Sequence, residues 1–538
     1  MINLIPMPKN FKEFKGGYSI DRDAVTVSFD KELEEIKDVI CEILKIGITE
    51  PQENVDISFV FDEKADKNAY SLSITDSGVK VYASAYEGAF YAMTTLRQLY
   101  KTDITDNKIL TASCLEIKDD KPLYDWRGLQ LDESRNFFGK GTVKKILDFM
   151  SIYKLNRFHW HLTDDQGWRI EVKKYPLLTE IGSKRAGTQL HSWNGLDYDD
   201  TPHEGHYTQE DIKEIVAYAK KRCIEIIPEI DFPAHCASAI AAYNDLACRE
   251  IPCNVFEFCG WKLAKERGYV DWNRPICLGK DKAINFVFDV IDEVVELFPF
   301  EYFHVGGDES PTDEWKKCPH CQARMKKEKL KNETDLQGWF TNQVNAHLKS
   351  RGKIMVGWNE ILASNIDNDI IGQYWTPKKD KNVNRHIKNG GKVILSNHKY
   401  FYFDMLYSYC TAKGTYDFTY RTSSVPKKYK DSVLGVEGEN WTEWTRTEKE
   451  LFFKIFNRTL ALSETAWSDE SVKDYGSFVK RMDNHKKIMD ALDIFYGSDE
   501  ITMQKAAFKK KKLSKKYGFS HKDYDSEFRL QEILDNLK

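Results

Sequence analysis

Hydrophobic and polar positions along the chain fall into three stretches with different periods. In "AYSLSITDSGVKVYAS" (69–84), apolar and polar residues alternate on both sides of Asp-Ser-Gly. That pattern predicts two strands joined by a tight turn. The following "AYEGAFYAMTTLRQLY" (85–100) repeats its apolar residues at helical spacing. Residues 1–120 therefore read as a small α+β domain, and no constellation of reactive side chains occurs in it.

From about residue 121 the pattern changes to short apolar runs that end in polar or aromatic residues. Eight such runs follow in order: "RGLQLDESR", "RFHWHLTDD", "CIEIIPEID", "YFHVGGDE", "KIMVGWNE", "IIGQYW", "KVILSNH" and "VLGVEGENW". Helix-like segments lie between many of them, among them 141–155, 208–222 and 282–298. Alternating strands and helices of this number predict a (β/α)8 barrel over residues 121–480. The remainder, 481–538, is charged and helix-like, and is expected to form a short helical extension.

In such a barrel, reactive groups gather where the strands end. The strand ends carry Arg135, Asp164, Asp165, Asp231, His235, Asp308, Glu309, Trp358, Trp375, Tyr402, Asp404, Trp441 and Glu443. Within "EYFHVGGDES" (301–310), Asp308 stands directly against Glu309. Adjacent carboxylates usually mark a solvated turn. At the end of the fourth predicted strand they face the barrel mouth instead, where mutual repulsion raises one pKa of the pair. Indole faces suit the apolar C–H face of a sugar ring, and Asp, Glu and Arg suit its hydroxyls. The set describes a carbohydrate pocket. No Gly-x-Gly-x-x-Gly follows a strand and no phosphate loop occurs.

Composition narrows the classes further. With 41% hydrophobic and 13% aromatic residues in 538, the chain can build a large core. The net charge of −5 and the lack of basic stretches interleaved with aromatics argue against nucleic acid. The one dense basic run, "FKKKKLSKK" (508–516), reads as a solvated helix face. No segment reaches the roughly 18 apolar residues of a membrane span, and "MINLIPMPKNFKEF" lacks the features of a signal peptide. A cytoplasmic monomer or homodimer with no membrane partner is expected.

Two patterns suggest metal. "HWH" places His159 and His161 on one face of a strand, as in metal-dependent barrel hydrolases, with His235 and several Asp available as further ligands. The alternative is that both histidines hydrogen-bond beneath the pocket. "CPHC" (318–321) resembles half of a zinc site, but no second Cys pair follows at suitable spacing, so no structural zinc is expected. The eleven cysteines are dispersed, which fits reduced thiols, although Cys248, Cys253, Cys259 and Cys277 share one region and could pair.

"RFHWHLTDDQGWR" (157–169), "IIPEIDFPAH" (226–235), "HVGGDE" (304–309), "GWNEIL" (357–362), "YFD" (402–404), "WTE" (441–443) and "ALSETAWS" (461–468) together resemble the family 20 glycoside hydrolases, the β-N-acetylhexosaminidases. The likeness runs in order from about 120 to 470, and the N-terminal unit is similar to the small α+β domain that precedes the barrel in this family. It implies release of terminal β-linked N-acetylglucosamine or N-acetylgalactosamine from an oligosaccharide or glycoconjugate, with retention and with no metal or organic cofactor. The nucleophile is the substrate's own acetamido oxygen, which forms an oxazolinium intermediate.

By the same resemblance, Glu309 is the general acid and then the general base, its pKa raised by ionised Asp308. Asp308 accepts the acetamido N–H, and Tyr402 donates to the acetamido oxygen. Trp358 and Trp375 wall the acetamide methyl, and Trp441 lies against the ring. Arg135 and Glu443 bind the 3- and 4-hydroxyls, and Asp404 the hydroxyls near C4 and C6. Asp164, Asp231 and His235 support the acid and the pocket floor. The sequence departs from the family pattern at Asn136, Ala234 and Cys236, and in the two acidic residues of "GVEGENW". Three rivals are a relative releasing a disaccharide, a metal-dependent amidohydrolase, and a barrel that binds sugar without cleaving it. The presence of both Asp308 and Glu309 speaks against the last.

Overall fold

The structure is a computed structural model that describes residues 2–49, 55–100, 108–268, 274–376, 380–503 and 507–536. In the N-terminal domain the expected hairpin forms, with strand Tyr70–Thr75 antiparallel to Gly78–Ala83. It lies inside a seven-stranded sheet whose other strands include Phe11–Asp21, Ile109–Asp120 and Ile57–Phe61. Helices Lys37–Leu44 and Tyr86–Leu99 bury Ile40, Leu44, Phe90 and Met93 in one core with Leu72 and Val81 of the sheet. Trp467, from the far end of the barrel, belongs to the same core. The buried Arg127 guanidinium lies 5.2 Å from its ring and donates to Tyr91 Oη at 2.8 Å, which fastens the domain to the barrel.

Each of the eight apolar runs contains one strand of a closed parallel barrel. They are β1 (Trp126–Asp132), β2 (Arg157–His161), β3 (Glu225–Glu229), β4 (Tyr302–His304), β5 (Ile354–Trp358), β6 (Ile371–Tyr374), β7 (Val393–Leu395) and β8 (Val433–Gly438). β8 closes the ring by pairing with β1. The expected helices lie at Lys140–Ile152, Gln209–Lys220 and Asp281–Val295. Thr208 and Asp211 cap the second of these reciprocally.

Strand alternation sorts the interior into layers. At the base, Trp126, Ile227, Val356, Ile371 and Ile394 form an apolar plug. One step along the strands the filling is polar: Glu437 accepts from Trp126 Nε1 at 2.6 Å and from Gln373 Nε2 at 2.8 Å, and lies 2.8 Å from His159 Nδ1. Glu229 lies 2.5 Å from His161 Nδ1 and 2.9 Å from His304 Nδ1, and accepts from Trp358 Nε1 at 2.9 Å. Trp358, in the same layer, and Trp375, one step further, reach the mouth, while Asp231 lies just behind its wall. Successive residues of a strand point to opposite faces, so counting in twos from the plug identifies what faces the site.

Helix Tyr475–Ala491 crosses the expected boundary at 480, and the chain then folds back through helices Asp499–Thr502, Ala507–Lys516 and Ser526–Asp535. Phe528 and Leu530 pack against Tyr407 and Phe453. In the basic run, Lys511, Lys512, Lys515 and Lys516 are exposed, while Lys510 is buried 2.6 Å from Glu527; the side chains of residues 508 and 509 lie outside the described residues.

One cysteine expectation needs correction. No disulfide occurs among the described residues. The sulfurs of Cys248, Cys277, Cys318 and Cys321 converge instead, so "CPHC" has a second pair. That pair comes from upstream and is split between two segments, where a search for a compact downstream motif does not reach. Cys259 lies elsewhere, in the lining of the barrel pocket.

Candidate active site

At the C-terminal mouth of the barrel is a cavity of about 270 Å³. Every predicted catalytic and substrate-binding residue lines it: Arg135, Asp164, His235, Asp308, Glu309, Trp358, Trp375, Tyr402, Asp404, Trp441 and Glu443. Asp165 lines it too, whereas Asp231 lies behind the wall.

The turn after β4 sets the two carboxylates apart. Gly306 and Gly307 have φ of +66° and +94°, and Glu309 itself has φ +43°. A Cβ on Gly306 would lie 1.8 Å from Asp231 Oδ1, so only glycine lets the backbone press onto that carboxylate. Asp231 in turn accepts the Gly307 N–H at 3.0 Å. The left-handed turn directs Asp308 inward, with its side chain 16% exposed, and leaves Glu309 at the rim, 64% exposed.

Electrostatics follow from this placement. Burial pushes the Asp308 carboxyl up to about 6; the His235 charge opposes the rise and Glu309 adds to it. His235 stands between the carboxylates of two loops, 3.1 Å from Asp164 through Nδ1, and 3.8 Å from Asp308 and 4.0 Å from Glu309 through Nε2. Burial works against its charge, but Asp164 and Asp308 hold its pKa well above the ordinary histidine range. The cationic form is therefore the resting one. Asp164 is held well below the carboxylate range despite burial, chiefly by Arg135 and His235.

A second group adjoins the first through Asp164. Arg135 lies 2.7 Å from Asp164 and 3.7 Å from Glu443, and its guanidinium sits 5.1 Å from the Trp441 ring centre. Burial lifts Asp404 to about 8, with Glu443 adding to the rise, and its Oδ1 is buried without a partner. Trp375 stacks on Tyr402 at 6.0 Å and 27°, and Trp358 meets Trp441 at 5.7 Å. Burial pushes the Tyr402 phenol well above its ordinary value, so it remains a donor.

His159 and His161 sit beneath this pocket, each with a carboxylate on Nδ1. That is the hydrogen-bonding role set against the metal role in the sequence. His159, Glu229 and His304 do converge, but as members of the buried polar layer rather than at the mouth.

The match to known proteins agrees with this geometry. Residues 124–470 match the catalytic domain of glycosyl hydrolase family 20, and residues 1–120 match domain 2 of the same family. The chain belongs to glycosyl hydrolase family 20. A beta-hexosaminidase of Porphyromonas gingivalis is 33% identical over 92% of this chain, which spans 64% of that relative's length. One from Akkermansia muciniphila is 31% identical over 79% of this chain and 84% of its own. The solved GH20 exo β-N-acetylglucosaminidase from Vibrio harveyi, in complex with N-acetylglucosamine, superposes with a TM-score of 0.80 at 27% identity, covering 92% of this chain and 78% of that one.

Several pocket residues of this family 20 chain escaped the strand-end reading. Trp193, Trp444 and Tyr524 also line the cavity, and Tyr524 comes from the C-terminal extension, stacked on Trp444 at 6.1 Å and 26°. Its backbone N–H donates to the His191 carbonyl at 3.0 Å. Nothing local in "HKDYDSEF" announces this role. Glu360, the fourth residue of the quoted "GWNEIL", is not in the lining but accepts from the lining Trp375 Nε1 at 2.9 Å and is lifted by burial to about 8. Its strand-end position was a usable signal.

The departures from the family pattern have structural partners. Asn136 donates to the Thr442 carbonyl at 2.6 Å, tying the loop after β1 to the loop after β8. Cys236 is buried with its sulfur 2.7 Å from the Ala234 carbonyl. Glu437 and Glu439 both accept from Gln373 Nε2 at 2.8 Å in the barrel interior.

Proposed function

We propose that this family 20 glycoside hydrolase is an exo-acting, retaining β-N-acetylhexosaminidase that releases terminal β-linked N-acetylglucosamine or N-acetylgalactosamine. The observation that carries the reading is the division of one Asp-Glu pair into a largely covered Asp308 within an aromatic pocket and an accessible Glu309 at its rim. Two carboxylates serving as nucleophile and acid flank a bond from separate positions. Adjacent residues with different exposure suit a different division, in which the substrate supplies the nucleophile.

Asp308, ionised above about pH 6, accepts the acetamido N–H and offsets the positive charge that grows on the oxazoline ring. Tyr402 donates to the acetamido oxygen and aims it at the anomeric carbon. As that carbon–oxygen bond forms, the glycosidic bond breaks and Glu309 gives its proton to the leaving oxygen. Glu309 then takes a proton from the water that attacks the same carbon and reopens the ring, so the β configuration returns. Arg135 and Glu443 hold ring hydroxyls. Asp404, lifted by burial to about 8, donates to a hydroxyl as a carboxylic acid at pH 7.

A cavity of about 270 Å³ is at the small end of ligand sites, which run from about 300 Å³ upward. This supports a single sugar residue rather than a disaccharide in the deep pocket. The adjoining groove lined by Trp375, His398, Tyr409 and Tyr524 is suited to the rest of the glycan.

Hydrolysis of a panel of N-acetylated and non-acetylated β-glycosides, with the first-formed anomer read by NMR, tests the reading. Cleavage restricted to the acetamido sugars with a β product first is expected. Equal turnover of the non-acetylated sugar, or an α product first, would overturn it.

A further inference from the structure

Four cysteine sulfurs from three separate segments meet beside the active-site loops. Cys248 and Cys277 belong to the long loop after β3, and Cys318 and Cys321 to the segment after β4. Cys248 Sγ lies 3.7 Å from Cys321 Sγ, and Cys277 Sγ lies 3.6 Å from both Cys318 Sγ and Cys321 Sγ. All four fall within 4.8 Å of one another. Disulfide sulfurs would stand about 2.0 Å apart. Four thiolates about 2.3 Å from a tetrahedral ion stand about 3.8 Å apart, close to the spacing seen. Cys277, Cys318 and Cys321 are buried and Cys248 is half-buried.

The surrounding backbone is built to hold this arrangement. Ala247 and Ile276 form an antiparallel bridge, which brings the segments carrying Cys248 and Cys277 together, and the Cys277 N–H donates to the Leu246 carbonyl at 2.8 Å. Pro319 opens helix Pro319–Lys327, so Cys321 lies in its first turn, where backbone N–H groups favour a thiolate. The Gly279 N–H faces the Cys277 sulfur. A Cβ on Gly279 would lie 2.1 Å from the His320 carbonyl carbon, so the two segments can close only over a glycine. A fully thiolate, tetrahedral donor set selects a soft ion.

We propose that Cys248, Cys277, Cys318 and Cys321 hold a structural Zn²⁺ that clips the loop after β3 to the loop after β4. Binding exchanges the four thiol protons for the ion. The clip joins the two loops on which the site depends. The Ile276 N–H, next to Cys277, donates to the Pro233 carbonyl at 2.9 Å, two residues before His235. On the other side, the buried Trp315 ring lies between Glu309 and Cys318 in sequence, and its Nε1 donates to the Ile276 carbonyl at 3.0 Å. The ion thus fixes His235 and the Asp308–Glu309 turn relative to each other without touching substrate, and the inference is independent of which sugar is cleaved.

Elemental analysis of the full chain, expressed with zinc and purified under reducing conditions, should find about one zinc per chain. Loading with Co²⁺ in its place should give thiolate-to-metal charge-transfer and tetrahedral d–d absorption. The Cys318→Ser/Cys321→Ser double variant should lose both, and Cys253→Ser should keep them. Hydrogen exchange over residues 306–321 should quicken when an organomercurial releases the ion from the wild-type chain. A metal-free wild-type protein, iron in place of zinc, disulfides among the four cysteines in a non-reduced digest, or exchange unchanged on release would overturn the proposal.

Discussion

His235 stands 3.8 Å from Asp308, with the imidazole on one loop and the carboxylate on the next. The cation stabilises Asp308 as an anion in a site whose burial would otherwise keep it neutral. The pH dependence of the enzyme follows from this contact.

In the proposed mechanism Asp308 is ionised when it offsets charge on the acetamide, so kcat/KM should rise with pH through about 6. Replacing His235 by Asn removes the charge that lowers the Asp308 pKa, and the acidic limb should move upward. A pH profile of kcat/KM on an aryl β-N-acetylglucosaminide checks this; a limb that stays in place or moves down would contradict it. For folding the sign is opposite: a carboxyl raised from its ordinary 3.8 to about 6 makes its stability contribution below pH 4 and loses it as pH rises to about 6.

Asp308→Asn and Tyr402→Phe remove the two groups that the proposed mechanism sets against developing charge. Each should lower kcat by roughly 10²-fold or more. Single-turnover rates near those of the parent enzyme would show that neither group touches the reacting acetamide.

Glu309→Gln removes the proton that the proposed mechanism transfers, while leaving the side chain's volume in place. Substrates with poor leaving groups should slow far more than those with activated aryl groups, because only the former need protonation. A series of aryl leaving groups of graded acidity gives the slope, and an unchanged slope would exclude the acid role.

Tyr524 brings the C-terminal extension into the pocket wall. Tyr524→Ala should raise KM about 2- to 10-fold with kcat little changed, the scale of one aromatic contact. A large fall in kcat at constant KM would assign Tyr524 a different role.

Glu229 anchors the buried polar layer, with His161, His304 and Trp358 all on its oxygens. Its pKa is held well below the usual range, mainly by His161 against the cost of burial. Glu229→Leu would leave His161, whose pKa Glu229 holds well above the ordinary range, without its main buried partner and should cost about 3–5 kcal/mol of stability, read by urea unfolding at pH 7. The wild-type contribution is present above the ordinary glutamate pKa and fades as pH falls through the depressed one.

The eight barrel strands, the rim residues and the Asp308–Glu309 pair were all legible along the chain. Each depends on a local property: an apolar run of strand length, and the alternation that carries the strand's inward face to the mouth. Period-two counting places Trp358 and Trp375 without any knowledge of their neighbours. Three features depended on tertiary structure. Tyr524 reaches the pocket because a tail more than 80 residues past the last barrel strand packs Phe528 and Leu530 onto Tyr407 and Phe453. The second half of the cysteine cluster is divided between Cys248 and Cys277, which become neighbours only through the Ala247–Ile276 bridge. The exposure that separates Asp308 from Glu309 arises from a left-handed turn pressed onto Asp231, a residue from a different strand end. Periodicity records which face of an element is buried, but not which distant segment covers it; that is decided when the chain closes on itself and the covering groups set burial, charge and reach.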